Sequence, residues 1–352
     1  MKIVILIPTI KPGGAEKQAV LLASTLSLEH EVHFVSLYGK NNLSVSVQKI
    51  IEDSNVQIHY LSGTKINRWR EFYKILKRYS IDVAFNYLTS CDVLGALVEK
   101  MAGVKVVFNG IRNSRLAFVK TILEWFAHNL IADYTIYNSH SGAKYFESKG
   151  FSKKKTIIIH NCFPDVREPF EREDKEIKRI ITVARFEPQK DYLTTIKSIA
   201  ELRKVRTDFE FIIIGHGHLE KQIYSWINEY GLTSYTKVYI APSNVQEILS
   251  RADIYLSTSL FEGTSNSIME AMNWSIPIVA TNVGDNYILV KHDVNGYLSN
   301  IGNTLELAKY MEILLSSYRK RLLMGLKGHE NLLNFSSEKF KNNYNELLKT
   351  KI

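Results

Sequence analysis

Two glutamates, Glu262 and Glu270, stand eight positions apart, and Gly263, Thr264, Ser265, Asn266 and Ser267 follow directly on the first. An apolar helix pattern begins at Ile268 and runs to Trp274. This spacing reads as a strand end, a tight loop and a helix start, with one carboxylate on the loop and one in the first turns of the helix. Backbone amides at a helix N-terminus attract anions, and carboxylates beside them accept hydrogen bonds from hydroxyls. Amides for phosphate together with acids for hydroxyls describe a ligand such as a sugar nucleotide. A plainer reading stays open beside it: Ser267 and Glu270 are three apart, as in a capping box, so Glu270 would only close its own helix.

Other residues point to the same chemistry. Arg185 and Lys190 follow the apolar run 180–184. A guanidinium fork and a compact ammonium at the end of a buried strand can neutralise a diphosphate, although both also fit an ordinary charged surface. Gly13-Gly14-Ala15-Glu16 follows the first apolar run and opens a helix. Paired glycines there let a phosphate approach the backbone, and a plain strand-to-helix turn would look the same. The motif is not the Gly-x-Gly-x-x-Gly dinucleotide fingerprint, which weakens a nicotinamide reading. Gly215-His216-Gly217-His218 ends another apolar run, with no third metal ligand nearby in the sequence. Cys91 and Cys162 form neither a metal cluster nor a disulfide framework. No Asp-x-Asp, His-Glu-x-x-His or paired Cys-x-x-Cys signature occurs, so no metal and no cofactor is expected.

These residues must be held by alternating strands and helices. The first half presents strand patterns near 2–8, 31–37, 56–60, 82–87, 104–109, 133–137 and 156–160, with helices at 14–28, after Pro12, and at 67–79. The segment 115–131 is strongly apolar. The stretch 164–178 is charged, carries two prolines and reads as an interdomain linker. The second half restarts with strands near 179–184, 209–214, 237–240, 253–257 and 277–280, and ends in helices over 304–328 and 336–349. The pattern is α/β: two doubly wound domains with ligand loops at the strand C-termini and a central cleft between them.

The 352 residues, 45% of them apolar, allow two domains of ordinary size. The run 2–8 is too short for a signal-peptide core, and no apolar run is long enough to span a bilayer. The net charge of +9 is uneven. Residues 1–170 hold 22 Lys and Arg against 14 Asp and Glu, a balance of +8, and residues 171–352 hold 23 against 22, a balance of +1. A basic first half attracts phosphates or an anionic membrane. Nucleic acid is not expected, since no helix-turn-helix or aromatic RNA-binding signature appears.

Taken in order, these motifs resemble a known family. Gly13-Gly14-Ala15-Glu16, Ala184-Arg185-Phe186, Lys190-Asp191, Gly215-His216-Gly217, Ala252-Asp253-Ile254-Tyr255, Glu262-Gly263, Glu270-Ala271-Met272 and Asn295-Gly296-Tyr297 are similar to the pattern of the retaining nucleotide-sugar glycosyltransferases of family 4, which have the GT-B fold. The likeness covers nearly the whole chain and is most specific in the second half. It implies an acceptor-binding Rossmann-like domain over 1–165, a nucleotide-sugar-binding one over 176–335, and a last helix, 336–352, crossing back to the first domain.

The resemblance also implies roles. Arg185 and Lys190 would hold the donor diphosphate, with Gly14 beneath it, and Glu262 would contact hydroxyls of the donor sugar. Glu270 would accept from the ribose hydroxyls. Gly215, Gly263 and the amides of Thr264, Ser265, Asn266, Ser267 and Ile268 would line the donor site. The implied activity is transfer of a sugar, with retention, from a nucleotide diphosphate, expected to be UDP, to an acceptor hydroxyl. The chain departs from the pattern at His216, His218, Ala241 and Asp285-Asn286. It departs also at Phe85-Asn86-Tyr87-Leu88, where many relatives carry a histidine.

The acceptor side is less defined. Arg112 and Asn113, in the loop 109–115 of the basic half, are the candidates for an acceptor diphosphate, with a solvated loop as the alternative. A polyprenyl-diphosphate sugar of bacterial surface polysaccharide assembly would supply both an anion and a lipid. A cytoplasmic protein docked on the inner membrane face through 115–131 fits such an acceptor, and a core helix is the alternative for that segment. Two further functions share the motifs: a sugar-nucleotide epimerase, and an inactive sugar-nucleotide-binding partner subunit.

Overall fold

Each half of the chain folds around a parallel sheet, because its strands carry apolar residues on both faces and helix patterns separate them. The computed structural model describes residues 1–10, 13–39 and 50–352; Pro12 lies outside the described residues. Two units result, Met1–Pro164 with Phe335–Ile352, and Asp165–Asn334.

In the first unit the elements run β1 (Lys2–Ile7), α1 (Gly14–Leu26), β2 (Glu31–Ser36), β3 (Gln57–Tyr60), α2 (Lys65–Tyr79), β4 (Val83–Asn86), α3 (Ala96–Ala102), β5 (Val106–Ile111), α4 (Phe118–Phe126), β6 (Tyr134–Tyr137), α5 (His140–Glu147) and β7 (Thr156–Ile158). Wide π-helical turns lead into α3 at Cys91–Gly95 and out of α4 at Ala127–Ile131. The strand order is β3-β2-β1-β4-β5-β6-β7, all parallel. Alternate residues of β1 enter different cores. Ile3, Ile5 and Ile7 pack with α1, while Val4 and Leu6 pack with Phe72, Leu76 and Cys91.

In the second unit β8 (Lys178–Val183), α6 (Tyr192–Arg203), β9 (Phe209–Gly215), α7 (Glu220–Glu229), β10 (Thr236–Ile240), α8 (Val245–Ser250), β11 (Ile254–Ser257), α9 (Asn266–Asn273), β12 (Ile278–Thr281), α10 (Asn286–Leu289), β13 (Gly296–Ser299), α11 (Thr304–Leu315) and α12 (Tyr318–Leu332) follow in turn. The sheet order is β10-β9-β8-β11-β12-β13. Both units are therefore doubly wound, with a switch point between β1 and β4 in one and between β8 and β11 in the other. The last helix, α13 (Ser337–Lys351), buries Phe340, Tyr344, Leu347 and Leu348 in the core of the first unit.

Four expectations change. The sequence pattern misses β13, a short strand entered at Gly296, where a Cβ would stand 2.2 Å from the Ile278 carbonyl oxygen. The helix expected over 304–328 is two helices, because Ser317 caps α12 through the Lys320 amide. The segment 115–131 is not a core helix: Phe118, Val119, Ile122, Leu123 and Phe126 of α4 are exposed, and the buried residue of α4 is Glu124.

The charged stretch expected as a linker is bound to the second unit. The Arg167 amide donates to Asn273, the Phe170 amide donates to Ser275, and the Arg167 guanidinium lies 3.3 Å from the Trp274 ring centroid. Arg172 is pulled inward to donate to the carbonyls of Ser250, Ala252 and Trp274. Burial lowers its pKa to about 10, so it remains a cation at neutral pH.

Candidate functional site

At the switch point of the second unit the chain turns sharply after β8 and β11. A short 3-10 turn, Pro188–Lys190, delivers Lys190, and Asp191 then takes a left-handed conformation and caps α6 through the Thr194 amide. The loop after β11 is tied to this turn. Gln189 donates to the Phe261 carbonyl at 2.7 Å, and the Leu260 amide donates to the Gln189 carbonyl at 2.8 Å. The Thr258 hydroxyl reaches the carbonyls of Lys190 and Asp191.

These ties bring Lys190 Nζ to 2.5 Å from Glu262 Oε1, and the Ser259 hydroxyl donates to the same oxygen at 2.7 Å. Both charged side chains are largely covered, at 15% and 10% exposure. Lys190 is therefore held against an acid rather than projecting freely. Arg185 is exposed and forms no ion pair among the described residues. Gly284, in a left-handed conformation, passes under Glu262: a Cβ there would stand 2.0 Å from the Glu262 carbonyl oxygen. Gly215 is equally confined, since a Cβ would stand 1.9 Å from the Ala184 carbonyl oxygen.

Helix α9 starts directly beyond this pair. Its N-cap is Ser265, whose side chain makes no capping hydrogen bond. Ser267 stands inside the first turn, so the Ser267/Glu270 capping box does not form. Glu270 lies half-buried one turn further on. Thr264, Ser265 and Ile268 are buried, while Gly263 and Ser267 are half-buried and Asn266 is exposed. Beneath them Tyr255 donates to the Val183 carbonyl and its hydroxyl also meets Ser267. Burial first, then the carboxylates of Glu270 and Glu262, push its phenol pKa up.

In the first unit Gly14 is the exposed first residue of α1, and Gly13 is an N-cap without a side-chain bond. Arg112, just past β5, donates to the hydroxyls of Tyr87 and Tyr344 at 2.9 and 3.3 Å, and its guanidinium carbon lies 4.6 Å from the centre of the Tyr87 ring. Its Nε and Nη1 are buried with no hydrogen-bond partner among the described residues. Asn113 is exposed. Both line a pocket of about 310 Å³ together with Leu88, Asp92, Lys120 and Glu124.

Sequence reasoning missed Asp92, Glu124, Tyr87, Tyr344, Ser259 and Gly284 as parts of these sites. The one local signal was Glu124, a lone acid inside an apolar stretch. The unusual Ala241 does take the left-handed conformation that suits glycine, at φ 41°. His218 pairs with Glu187 at 3.3 Å. No cluster of metal-ligating side chains occurs among the described residues, and no helix of the described residues is long and apolar enough to cross a membrane.

Residues 166–330 match the family model described as glycosyl transferases group 1. A capsular polysaccharide biosynthesis glycosyltransferase of Staphylococcus aureus is 26% identical over 87% of each chain. An undecaprenol-diphosphate-glycan α-1,4-N-acetyl-D-galactosaminyltransferase of Campylobacter jejuni is 22% identical over 93% of each. Among solved structures, Anabaena HepE in complex with UDP and glucose superimposes with a TM-score of 0.83 at 19% identity, covering 99% of this chain and 100% of that one. The two doubly wound sheets are thus those of the GT-B fold, and the chain is a relative of bacterial glycosyltransferases whose second unit carries the group 1 family pattern.

Proposed function

We propose that the protein is a retaining glycosyltransferase that moves a sugar from UDP to a hydroxyl of a lipid-linked saccharide. The observation that carries this reading is the Lys190–Glu262 pair set at a switch point, directly before the N-terminus of α9, where the Ser265 side chain makes no capping hydrogen bond. Cleavage of the C1–O bond leaves negative charge on the diphosphate. Lys190, the exposed Arg185 and the amides of Ser265, Asn266, Ser267 and Ile268 stabilise that charge, in the way preorganised donors worth about 3–4 kcal/mol each do elsewhere. Glu262 accepts from donor-sugar hydroxyls and Glu270 from ribose hydroxyls. Gly215 and Gly263 leave room for the donor. The protein's own cations take the role a metal plays in other transferases, so activity is expected without metal or cofactor.

Arg112 and Asn113 are the acceptor-side groups, with the buried guanidinium supplying charge for a diphosphate. The exposed apolar face of α4 fits docking on a membrane surface, where a polyprenyl-linked acceptor resides. The UDP-bound structural neighbour and the undecaprenol-linked relative support the donor and acceptor classes. Those relatives carry transferase names, which favours transfer over the epimerase and the inactive-subunit readings. Titration calorimetry with UDP and a panel of UDP-sugars tests the proposal. Micromolar UDP binding is expected, and a chain that binds no nucleoside diphosphate would end it.

A further inference from the structure

The 310 Å³ pocket of the first unit has two acids in its wall that the donor chemistry does not use. Asp92 and Glu124 are 0% and 1% exposed. Asp92 sits on the π-helical turn before α3, four residues after Leu88, which is held in the left-handed region at φ 72° and accepts from the Asp92 amide. Its Oδ1 accepts from the Gly110 amide at 2.9 Å, and its backbone carbonyl accepts from Asn109 Nδ2 at 2.9 Å. Asp92 therefore clamps the end of β5, two residues before Arg112. Gly110 lies close against β4, where a Cβ would stand 2.6 Å from the Asn86 carbonyl oxygen.

The second oxygen of Asp92 and Oε2 of Glu124 find no donor elsewhere among the described residues. The two carboxyls lie against each other, and the Thr89 hydroxyl meets Glu124. Two bare carboxylates cannot share a buried site, and one proton between them resolves the conflict.

We propose that Glu124 donates a proton to Asp92 and that this pair is a positioning device, fixing the loop of Arg112 and Asn113 for a diphosphate-bearing acceptor. The inference rests on the glycosyl-transfer reading for its acceptor. It gives α4 a second role: its outer face is apolar, and its one buried side chain reaches inward to the acceptor loop.

Protonation follows from the surroundings. Burial raises Asp92 to about 6, against the pull of the Gly110 amide, Glu124 and Arg112. Burial raises Glu124 well above the usual carboxyl range, and Asp92 raises it further, against Thr89 and Lys120. Glu99 on α3, Cys91 and Tyr137 on β6 are the other titratable groups facing the pair, and all three are themselves pushed up. Near neutral pH Glu124 therefore keeps the proton and Asp92 the charge. Rising pH strips Glu124 and sets two carboxylates against each other.

Hydrogen–deuterium exchange at Gly110, corrected for the intrinsic rate, tests the pair in the full chain. Glu124→Leu should lower Gly110 protection at least tenfold. Glu124→Gln, whose amide replaces the donated proton, should restore it within about threefold. The wild type should lose protection as pH rises above neutral, and Glu124→Gln should not. Geranyl diphosphate, used as a prenyl diphosphate probe, should add protection at Arg112 and Asn113 in the wild type and in Glu124→Gln but not in Glu124→Leu. The inference falls if Glu124→Gln follows the wild-type pH dependence, if Glu124→Leu leaves Gly110 unchanged, or if the probe protects nothing in the wild type. Absence of UDP binding would instead strike the transferase reading and leave the exchange results standing.

Discussion

Lys190 and Glu262, 72 positions apart in the chain, meet at 2.5 Å, with the Ser259 hydroxyl on the same carboxylate oxygen. Opposite charges in this largely covered setting fix each other's rotamers before any ligand arrives. A phosphate approaching Lys190 and a hydroxyl approaching Glu262 then find groups that need little reorganisation.

Lys190→Ala should cut glycosyl transfer by at least a hundredfold and weaken UDP binding. It also leaves the Glu262 carboxylate without its cation. Removing one partner of a buried pair costs about 3–5 kcal/mol. The remaining Ser259 hydrogen bond and partial exposure place this case at about 3 kcal/mol, a fall in melting temperature of about 10 °C. Calorimetric melts and UDP titration check both effects, and wild-type transfer in this variant would refute the site.

Glu270→Ala should separate binding from folding. Because Ser265 rather than Ser267 is the N-cap of α9, no capping box is lost, and the fall in melting temperature should be smaller than that of Lys190→Ala. Loss of hydrogen bonds between a carboxylate and ribose hydroxyls should weaken UDP binding by about 1.5–3 kcal/mol, or roughly tenfold to a hundredfold.

Gly284→Ala should damage the site from outside it. The added methyl would stand 2.0 Å from the Glu262 carbonyl oxygen, at a backbone φ of 55°. Strain of this kind costs about 1–3 kcal/mol, and Glu262 must move to relieve it. A lowered melting temperature together with a loss of transfer exceeding that of a surface glycine control, Gly302→Ala, is expected.

Phe118 and Phe126 stand 79% and 47% exposed on α4. If α4 docks on a bilayer, each ring inserted contributes about 1.5–3 kcal/mol. Replacing both by serine should lower binding to anionic vesicles by roughly a hundredfold or more while UDP affinity is unchanged. Vesicle co-sedimentation at low salt measures this, and equal binding by the variant would remove α4 as the docking face.

Glu99 is fully buried, and burial, with Asp92 also repelling its charge, raises its pKa to about 8 despite the Asn86 hydrogen bond. The folded-state pKa exceeds the unfolded one. The stability it contributes is full below about pH 4.5 and is lost as pH rises through 8. Glu99→Gln abolishes this titration, so its melting temperature should gain on the wild type between pH 5 and pH 8.5. A constant difference across that range would refute the assignment.

Much of the candidate donor site was readable from local spacing. Glu262, Gly263 and Glu270 fall within one loop and one helix start, and Arg185 and Lys190 follow a single apolar run. Periodicity found the first seven strands for the same reason. Strand β13 escaped because four residues behind a glycine turn give too short a pattern. Whether α4 faces a core or solvent stayed open, because an apolar stripe has the same spacing in both cases.

The sequence by itself determined the order of strands and helices, the parallel two-domain class and the candidate residues of the proposed sugar-nucleotide site, all set by period, turn chemistry and short-range spacing. Tertiary structure alone decided that Lys190 faces Glu262, that α9 begins after Ser265 and not after Ser267, that Arg112 is held by Tyr87 and Tyr344, and that Asp92 and Glu124 face each other. Those pairings join distant parts of the chain. They are fixed by sheet order and by the packing of helices on the sheets, and residue spacing along the chain does not encode such distances.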